Sequence, residues 1–594
     1  MRTRVNPTAV PLRPTAVPLR AYLLLVCFMT ASLRMPAWGA ETADLVLILG
    51  RIITVDPADA VAQAIAIRDG KIIAVGSDAL VLRLAGPATR RIDLHGRTAT
   101  PGLIDSHAHI AEAGIDELYH VHLSDVTTIA EAVRRVRAGI AKLRPGEWLQ
   151  GDGWDEGKLA ERRYLWARDL DAVSANNPVW LMHTTGHYGV ANTAALRLAK
   201  IDGNTQNPEA GTIDRDAHGV PTGVLKEAAM DAVLNLVPPP TAAQQRAAIL
   251  HSIGLLNREG MTAVKDPAIS RPEWDAYESL LREGKLTAHV CVLWYAGSTL
   301  ESARQALQEI SAQPRPPQSL GDGMLLSCGA KIFLDGSGGA RTAGMYTDWN
   351  KNSVDEDSGN TGYPRTDPAI YRAQVELFHR AGVHVGTHAI GDRAIDWVVD
   401  TYAKVLEETP TVGLRHSIIH ANIPTDHAIH AMAALEARYD AAYPEVQAPF
   451  MWWIGDTYAG NFGPERSQRL VPLNTFLKNG IHWGGGSDYP VTPVDARHGL
   501  WASIERETLE GTYGAHPFGT AEAVDVHTAL RSYTIWAARQ LFLETRIGSL
   551  EPGKDADIAV WDRDLYSIPS REIKDLKCVL TLVHGAVVYD AARP

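Results

Sequence analysis

The stretch ATPGLIDSHAHI, residues 99–110, places two histidines, His107 and His109, directly after a short apolar run. Side chains two residues apart on an extended strand point to the same face. The two imidazoles can therefore converge on one point, and that point can hold a metal ion. The pair alone does not establish a site, because such spacings also arise by chance in a chain with 22 histidines.

Other residues of the metal-ligand type stand where further strand-like segments end. LSCGAKIFLDG carries Lys331, VHVGTHAIGD contains His388, RHSIIHAN contains His420, and GIHWGGGSDYP contains Asp488. Earlier strand candidates are PVWLMHT (178–184), TAVKDP (262–267) and AHVCVLW (288–294). Active sites of barrels of alternating strands and helices lie where the strands end. His384 and His416, one or two steps earlier on their strands, are expected to lie deeper, as ordinary core residues.

Helical patterns separate these strand candidates. Residues 128–143 have apolar side chains at helical spacing, with Thr128 and Glu131 placed as a capping box. This alternation over about 400 residues predicts an α/β fold, a (β/α)₈ TIM-type barrel, spanning residues 101–540. Residues 44–100 and 541–594 are short β-branched runs separated by turns. We predict that these two segments form one composite β-sandwich.

Residues 1–39 have the pattern of a secretory signal peptide. Arginines without acids precede the apolar run AYLLLVCFMTAS, and Ala37 and Gly39 form a small-x-small cleavage signal. The run is too short for a stable membrane anchor. We therefore expect a mature protein that begins near Ala40, is secreted or periplasmic, and has no stable membrane anchor.

Charge and cysteine content narrow the class of protein. The chain has a formal charge of −12, and the predicted signal peptide carries arginines but no acids, so the mature chain is more negative still. This sign argues against a nucleic-acid partner. The mature chain keeps Cys291, Cys328 and Cys578, an odd and widely spaced set that predicts buried thiols rather than a disulfide framework.

The order His-x-His, Lys, His, His, Asp resembles the amidohydrolase superfamily. Longer phrases narrow the resemblance to amidohydrolase family 3, the branch that includes N-substituted formamide deformylases. These phrases are GDGWDE (151–156), HTTGHYGVANTAAL (183–196), GVLKEAA (223–229), KIFLDGSGGARTA (331–343), HAIGDRAID (388–396) and GSDYPVTP (486–493). The resemblance covers the chain from about residue 44 to its end.

The resemblance implies a two-metal hydrolase, most often with zinc. His107 and His109 would hold the more buried ion, and His388 and His420 the other. Lys331, if carbamylated by CO₂, would supply oxygen ligands that bridge both ions. One departure is that Ile-Ile stands before His420, where the branch usually has Ile-Glu, which removes a carboxylate from behind the ligands.

The same resemblance assigns the remaining roles. Asp488 would ligate an ion and, as acid and base, carry the proton of a metal-bridging hydroxide to the leaving group, while His187 would contact the substrate or its carbonyl. Four aromatic residues in loop-like stretches are candidates for a substrate pocket, with packing as the alternative: Trp154, Tyr346, Trp452 and Trp453.

The leading hypothesis is hydrolysis of an amide or N-formyl bond of a small molecule. An esterase, lactonase or carbamate hydrolase with the same centre stays open, because attack by hydroxide does not dictate the leaving group. A non-catalytic binding protein on this fold also stays open, because a fold does not imply a function. The sequence leaves open a homo-oligomer and the identity of the metal.

Overall fold

A computed structural model describes residues 42–350, 359–511 and 518–593. The predicted signal peptide lies outside the described residues. Within the described part of the chain, no helix combines the length and the apolar character needed to cross a membrane.

The strands of the described residues are short, and most contain between two and seven residues. In chain order they are β1 (Ala43–Ile48), β2 (Arg51–Ile53), β3 (Val61–Ala62), β4 (Ala64–Arg68), β5 (Lys71–Gly76), β6 (Ala85–Asp93), β7 (Thr98–Pro101), β8 (Leu103–Asp105), β9 (Val121–His122), β10 (Leu149–Trp154), β11 (Val179–His183), β12 (Tyr188–Ala191), β13 (Gly211–Arg215), β14 (Pro221–Glu227), β15 (Met261–Ile269), β16 (His289–Tyr295), β17 (Leu325–Phe333), β18 (His384–Ala389), β19 (Ser417–His420), β20 (Tyr443–Val446), β21 (Gly484–Gly485), β22 (Ile558–Trp561), β23 (Cys578–Val583) and β24 (Ala586–Asp590).

The helices alternate with these strands over the central part of the chain. They are α1 (Asp78–Leu82), α2 (Ile110–Tyr119), α3 (Ile129–Ile140), α4 (Ala167–Ser174), α5 (Thr193–Leu198), α6 (Asp231–Leu234), α7 (Ala242–Arg258), α8 (Arg271–Arg282), α9 (Leu300–Ser311), α10 (Pro368–Arg380), α11 (Asp392–Glu408), α12 (Asp426–Tyr439), α13 (Pro449–Trp453), α14 (Gly455–Phe462), α15 (Pro464–Ser467), α16 (Leu473–Lys478), α17 (Ala496–Glu505), α18 (Val526–Ser532) and α19 (Ile535–Gln540). The predicted helix over residues 128–143 is α3, and Thr128 accepts a hydrogen bond from the backbone N–H of Glu131.

Eight parallel strands form the predicted barrel. Their order is β8, β15, β16, β17, β18, β19, β20 and β21. The backbone N–H of Ser106 donates a 2.9 Å hydrogen bond to the carbonyl of Gly485, which brings the two ends of this sheet together. Strands β15 to β20 are buried along almost their whole length, as expected for parallel strands that are covered on both faces. The predicted TIM-type barrel is confirmed.

Two strand predictions are corrected. The segment PVWLMHT forms β11, which lies outside the barrel in a six-stranded sheet built from β9 to β14 and inserted between β8 and β15. The barrel strand that the sequence patterns missed is β20. It has only four residues and contains Pro444, a residue that argues against a central strand because it lacks a backbone N–H.

The two ends of the chain share one sheet, as predicted. This sheet has the order β24-β23-β22-β7-β2-β3, and β22 pairs antiparallel with β7 so that Ala559 lies opposite Thr100. A second sheet, β5-β4-β1-β6, contributes Leu47 and Ile65 to an apolar cluster that also contains Val560 from the first. The composite β-sandwich therefore places its own apolar core beside the barrel.

The cysteine prediction was wrong for two of three residues. Cys291 on β16 and Cys328 on β17 form a disulfide, whereas Cys578 is free and buried. The two bonded residues lie on neighbouring barrel strands with Cα atoms 5.7 Å apart, which is within the range of a disulfide. Spacing along the chain gave no sign of this pairing, because strand neighbours are fixed only by the closed barrel.

Candidate metal centre

The predicted metal ligands all lie at one rim of the barrel, where the strands end. Lys331, His388 and His420 lie near the ends of β17, β18 and β19. His107 and His109 follow β8, and Asp488 follows β21. Because parallel strands of a barrel end at the same rim, residues hundreds of positions apart in the sequence meet there.

His107, His109 and Asp488 form the first group of ligand atoms. Oδ1 of Asp488 lies 3.3 Å from Nε2 of His107 and 3.4 Å from Nε2 of His109. Two backbone hydrogen bonds hold the segments together, from Asp488 N to His107 O and from His109 N to Tyr489 O. Three donor atoms within 4.8 Å of one another can coordinate one ion.

His388 and His420 form the second group. Nε2 of His420 lies 2.9 Å from Nδ1 of His388. The other nitrogens of the two rings face the side-chain oxygen of Gln447 and the carbonyl of Gly336, at 2.7 Å and 3.0 Å. These oxygens accept the ring protons, so the two facing nitrogens present lone pairs to each other. A cation between the two nitrogens would accept both lone pairs. Two imidazole ligands of one metal ion are arranged in this way.

Burial keeps both of these rings neutral. It is the largest cause that lowers the pKa of His388 and of His420 well below the ordinary value. A neutral imidazole is the form that ligates a metal. The backbones of His420 and Asp488 have positive φ angles of 75° and 57°, a conformation that non-glycine residues seldom adopt. Strain of this kind clusters at functional sites.

Lys331 is completely buried between the two groups. Its Nζ lies 3.3 Å from Nε2 of His107. Burial lowers the pKa of Lys331 to about 7, although the carboxylates of Asp488 and Glu445 act to raise it. A substantial fraction of neutral amine is therefore present at neutral pH.

A cavity of about 240 Å³ opens above these groups. His109, Lys331, His388, His420 and Asp488 line it, and His187 lies on its wall. Its apolar wall includes Phe333, Leu234 and Val491. The volume suits a small molecule, and the polar side chains converge at the floor, where a reacting bond would lie.

Residues 90–589 match the model of the Amidohydro_3 amidohydrolase family. The chain belongs to this amidohydrolase family. It is therefore a metal-dependent hydrolase. The family name refers to the hydrolysis of amide bonds, which are carbon–nitrogen bonds.

The similarity of the amidohydrolase to known proteins extends over most of the chain. It is 27% identical over 559 residues to the N-substituted formamide deformylase of Arthrobacter pascens, which covers 93% of this chain and 99% of that protein. Protein LONG AFTER FAR-RED 3 of Arabidopsis thaliana is 29% identical over 575 residues, 94% of this chain and 93% of that protein. An uncharacterized metal-dependent hydrolase of Pyrococcus horikoshii superposes with a TM-score of 0.68 at 26% identity, over 89% of this chain and 99% of that one.

The four aromatic residues do not line this cavity of the amidohydrolase. Trp154 is fully buried in the core of the inserted sheet, and Tyr346 lies exposed at the surface. Trp452 and Trp453 pack at the end of α13. The aromatic residue that lines the cavity among the described residues is Phe333. The loop-like sequence context was not enough to predict pocket residues, because a tryptophan ring is as readily buried in a core as in a binding site.

Glu445 on β20 lies behind the first group of ligands and was missed. Its Oε1 lies 2.6 Å from Nζ of Lys265, and its Oε2 lies 3.6 Å from Nδ1 of His107. Burial acts to raise the pKa of Glu445, but Lys265 and His107 outweigh it and hold this pKa below the ordinary value. A buried carboxylate therefore lies behind His107, on the strand next to the one that carries His420. The buried Lys265 in TAVKDP was the available signal, because a buried ammonium needs a partner.

Glu227 at the end of β14 orients His187 and was also missed. Nδ1 of His187 lies 3.0 Å and 3.1 Å from the two carboxylate oxygens of Glu227. Glu227 is fully buried and also accepts hydrogen bonds from Thr342 and Arg365. Burial acts to raise the pKa of Glu227, yet His187 and Arg365 keep this pKa below the ordinary value. The carboxylate therefore accepts the Nδ1 proton and leaves Nε2 of His187 as an acceptor.

We expect Glu227→Gln to lower kcat by about 10- to 100-fold without changing metal content, which is typical for loss of a residue that orients a ligand or contact residue. The amide can donate as well as accept, so it no longer fixes the orientation of His187. Steady-state kinetics and elemental analysis measure the two effects. Glu301→Gln, a matched change on an exposed residue of α9 outside the cavity, is the control. Activity of Glu227→Gln within twofold of wild type would show that Glu227 is only structural.

Proposed function

We propose that the amidohydrolase is an exported enzyme with two metal ions that hydrolyses an amide or N-formyl bond of a small molecule. The observation that supports it most is the convergence of two ligand groups, one on each side of the buried Lys331. The formamide substrate named for the Arthrobacter relative and the small cavity volume support the same substrate class.

The side chains fit two zinc ions. His107, His109 and Asp488 would hold one ion and His388 and His420 the other, while a carbamate on Lys331 would supply oxygen to both. Imidazole nitrogens and carboxylate oxygens are the ligands that zinc prefers in catalytic sites. When bound, the two ions would polarise a substrate carbonyl and lower the pKa of a water molecule toward 7.

Asp488 is the residue that moves the proton. Burial acts to raise its pKa, but hydrogen bonds from His107 and His109 hold this pKa well below the ordinary value, so Asp488 is a carboxylate at neutral pH. It accepts a proton as water adds to the carbonyl carbon, and it gives the proton to the nitrogen as the C–N bond breaks. Nε2 of His187 faces the same cavity and contacts the carbonyl side of the substrate.

A substrate comparison tests the bond type. Metal-loaded protein is assayed with N-formyl amines, N-acyl amino acids and aryl amides, and with esters and lactones of the same acyl groups. We expect the highest kcat/KM on an amide or formamide and loss of activity with a chelator. Esters or lactones preferred by more than tenfold would favour the esterase alternative. No turnover of any compound by metal-loaded protein would favour the binding-protein alternative.

Export is supported by two features. The pattern of residues 1–39 is that of a cleaved signal peptide. The Cys291–Cys328 disulfide is typical of an oxidising compartment such as the periplasm. Amino-terminal sequencing is expected to give a start near Ala40 in a non-cytoplasmic fraction, whereas an intact Met1 on cytoplasmic protein would contradict export.

A further inference from the structure

A second group of ligand-type side chains lies at the opposite end of the barrel, against the composite β-sandwich. His289 is the first residue of β16, Asp557 directly precedes β22, and His584 directly follows β23. One ligand atom from each of these residues lies within 4.8 Å of the others. None of these residues takes part in the centre described above.

Three ligand-type atoms of this group face each other. Nδ1 of His289 lies 2.7 Å from the carbonyl of Gly323, which can only accept, so a neutral His289 presents a lone pair at Nε2. Oδ1 of Asp557 accepts from the backbone N–H of His584, which leaves Oδ2 free at 3.1 Å from Nε2 of His289. Nε2 of His289 and Oδ2 of Asp557 are buried and have no hydrogen-bond partner among the described residues. Nε2 of His584 is also buried, and it lies 3.4 Å from Oδ2 of Asp555.

We propose that His289, Asp557 and His584 bind a structural Zn²⁺ ion that joins the barrel to the β-sandwich. Two imidazole nitrogens and one carboxylate oxygen are a donor set for zinc rather than for Ca²⁺ or Mg²⁺. The 3.1 Å between Nε2 of His289 and Oδ2 of Asp557 is close to the roughly 3.3 Å that separates two ligands of a tetrahedral zinc ion. The side chain of His584 is 27% exposed, so water can reach the fourth position from that side.

The surrounding charges favour a cation. Asp555 is paired with Lys71 and Arg546, and Asp322 is paired with Arg546. Together with Asp557, three carboxylates therefore face two cationic side chains. The net charge of these five side chains is negative. This negative charge offsets part of the repulsion between Lys71 or Arg546 and a bound cation.

The competing occupant is a proton shared by His289 and Asp557. Burial acts against a charged His289 ring, but the nearby Asp557 carboxylate raises the pKa of His289 above its ordinary value. Metal content and zinc-dependent stability distinguish a bound zinc ion from a shared proton. Only the zinc ion adds one equivalent of metal per chain and links stability to zinc concentration.

The test compares zinc-loaded, desalted wild-type protein with two variants. His584→Asn removes a ligand, and asparagine tolerates the positive φ of 47° at this position. His482→Asn is the matched control, because His482 is half-exposed and bonded to Glu436 on another face of the chain. We expect His584→Asn to hold one zinc ion fewer per chain than wild type and the control. It should also show a smaller rise in Tm when zinc is added, with kcat in saturating zinc within twofold of wild type.

Equal zinc content in His584→Asn and wild type would overturn the proposal. If the variant does not fold, a zinc-soaked wild-type crystal decides the question by anomalous scattering at the zinc edge. A peak about 2.0–2.1 Å from Nε2 of His289 supports the site. No peak there leaves the proton-sharing pair and overturns the proposal. Neither outcome depends on whether the catalytic centre acts on amides.

Discussion

Asp488→Asn is expected to keep the fold and at least one metal ion while kcat falls by roughly 10²-fold or more. The asparagine oxygen can still ligate an ion at the position that lies 3.3 Å from Nε2 of His107. An amide cannot accept the proton of the attacking water or carry it to the leaving nitrogen. Metal binding and proton transfer are thereby separated in one variant.

The pH profile gives a second readout for Asp488. The carboxylate must be ionised to act as a base, and its pKa is held well below the ordinary value despite burial. Wild-type kcat/KM is therefore expected to fall on the acid side, and this limb should change in the variant. Asp400→Asn, on an exposed side chain of α11, is the matched control. A folded, metal-replete Asp488→Asn enzyme within a few-fold of wild-type turnover would contradict the assigned role.

Lys331→Ala is expected to lose bound metal and to lose nearly all activity. Lys331 is buried between the two ligand groups, and its removal takes away the only proposed ligand shared by both ions. A ligand that bridges two cations also offsets their mutual repulsion, so its loss weakens both sites. Elemental analysis and the best amide substrate measure the two losses.

Chemical rescue distinguishes a carbamate from an ordinary buried lysine. We expect bicarbonate with a short carboxylic acid to restore part of the metal and part of the activity of Lys331→Ala, because a small carboxylate can occupy the bridging position. Lys404→Ala, at a half-exposed position on α11, is the control for loss of a lysine. Wild-type metal content in unrescued Lys331→Ala would show that Lys331 only fills the core or pairs with a carboxylate.

The convergence of the proposed ligands could be predicted from the sequence because metal chemistry restricts residue type and barrel topology restricts position. His107, His109, Lys331, His388, His420 and Asp488 each stand at or just beyond a strand end, and strand ends meet at one rim. The two ends of the chain were likewise predictable as one β-sandwich, because short β-branched runs cannot bury their apolar faces alone.

The residues behind the ligands could not be predicted in the same way. Glu445 and Glu227 act through long-range contacts, with Lys265 and His107 in one case and with His187 in the other. A buried lysine such as Lys265 indicates that a carboxylate partner exists, but no local pattern indicates which one. The Cys291–Cys328 disulfide and the short barrel strand β20 depend on strand neighbours in the same way. So does β11, which was expected in the barrel but pairs with β10 and β12 in the inserted sheet.

The most direct test of the proposed centre is the number of metal ions in fully active protein. Apo-enzyme is titrated with zinc while bound metal and amide hydrolysis are followed together. His584→Asn is titrated in parallel so that an ion outside the catalytic centre is not counted. Because six ligand side chains exceed what one tetrahedral ion can use, the account predicts full activity of His584→Asn at two zinc ions per chain. Full activity with no more than one bound ion would contradict the two-metal centre.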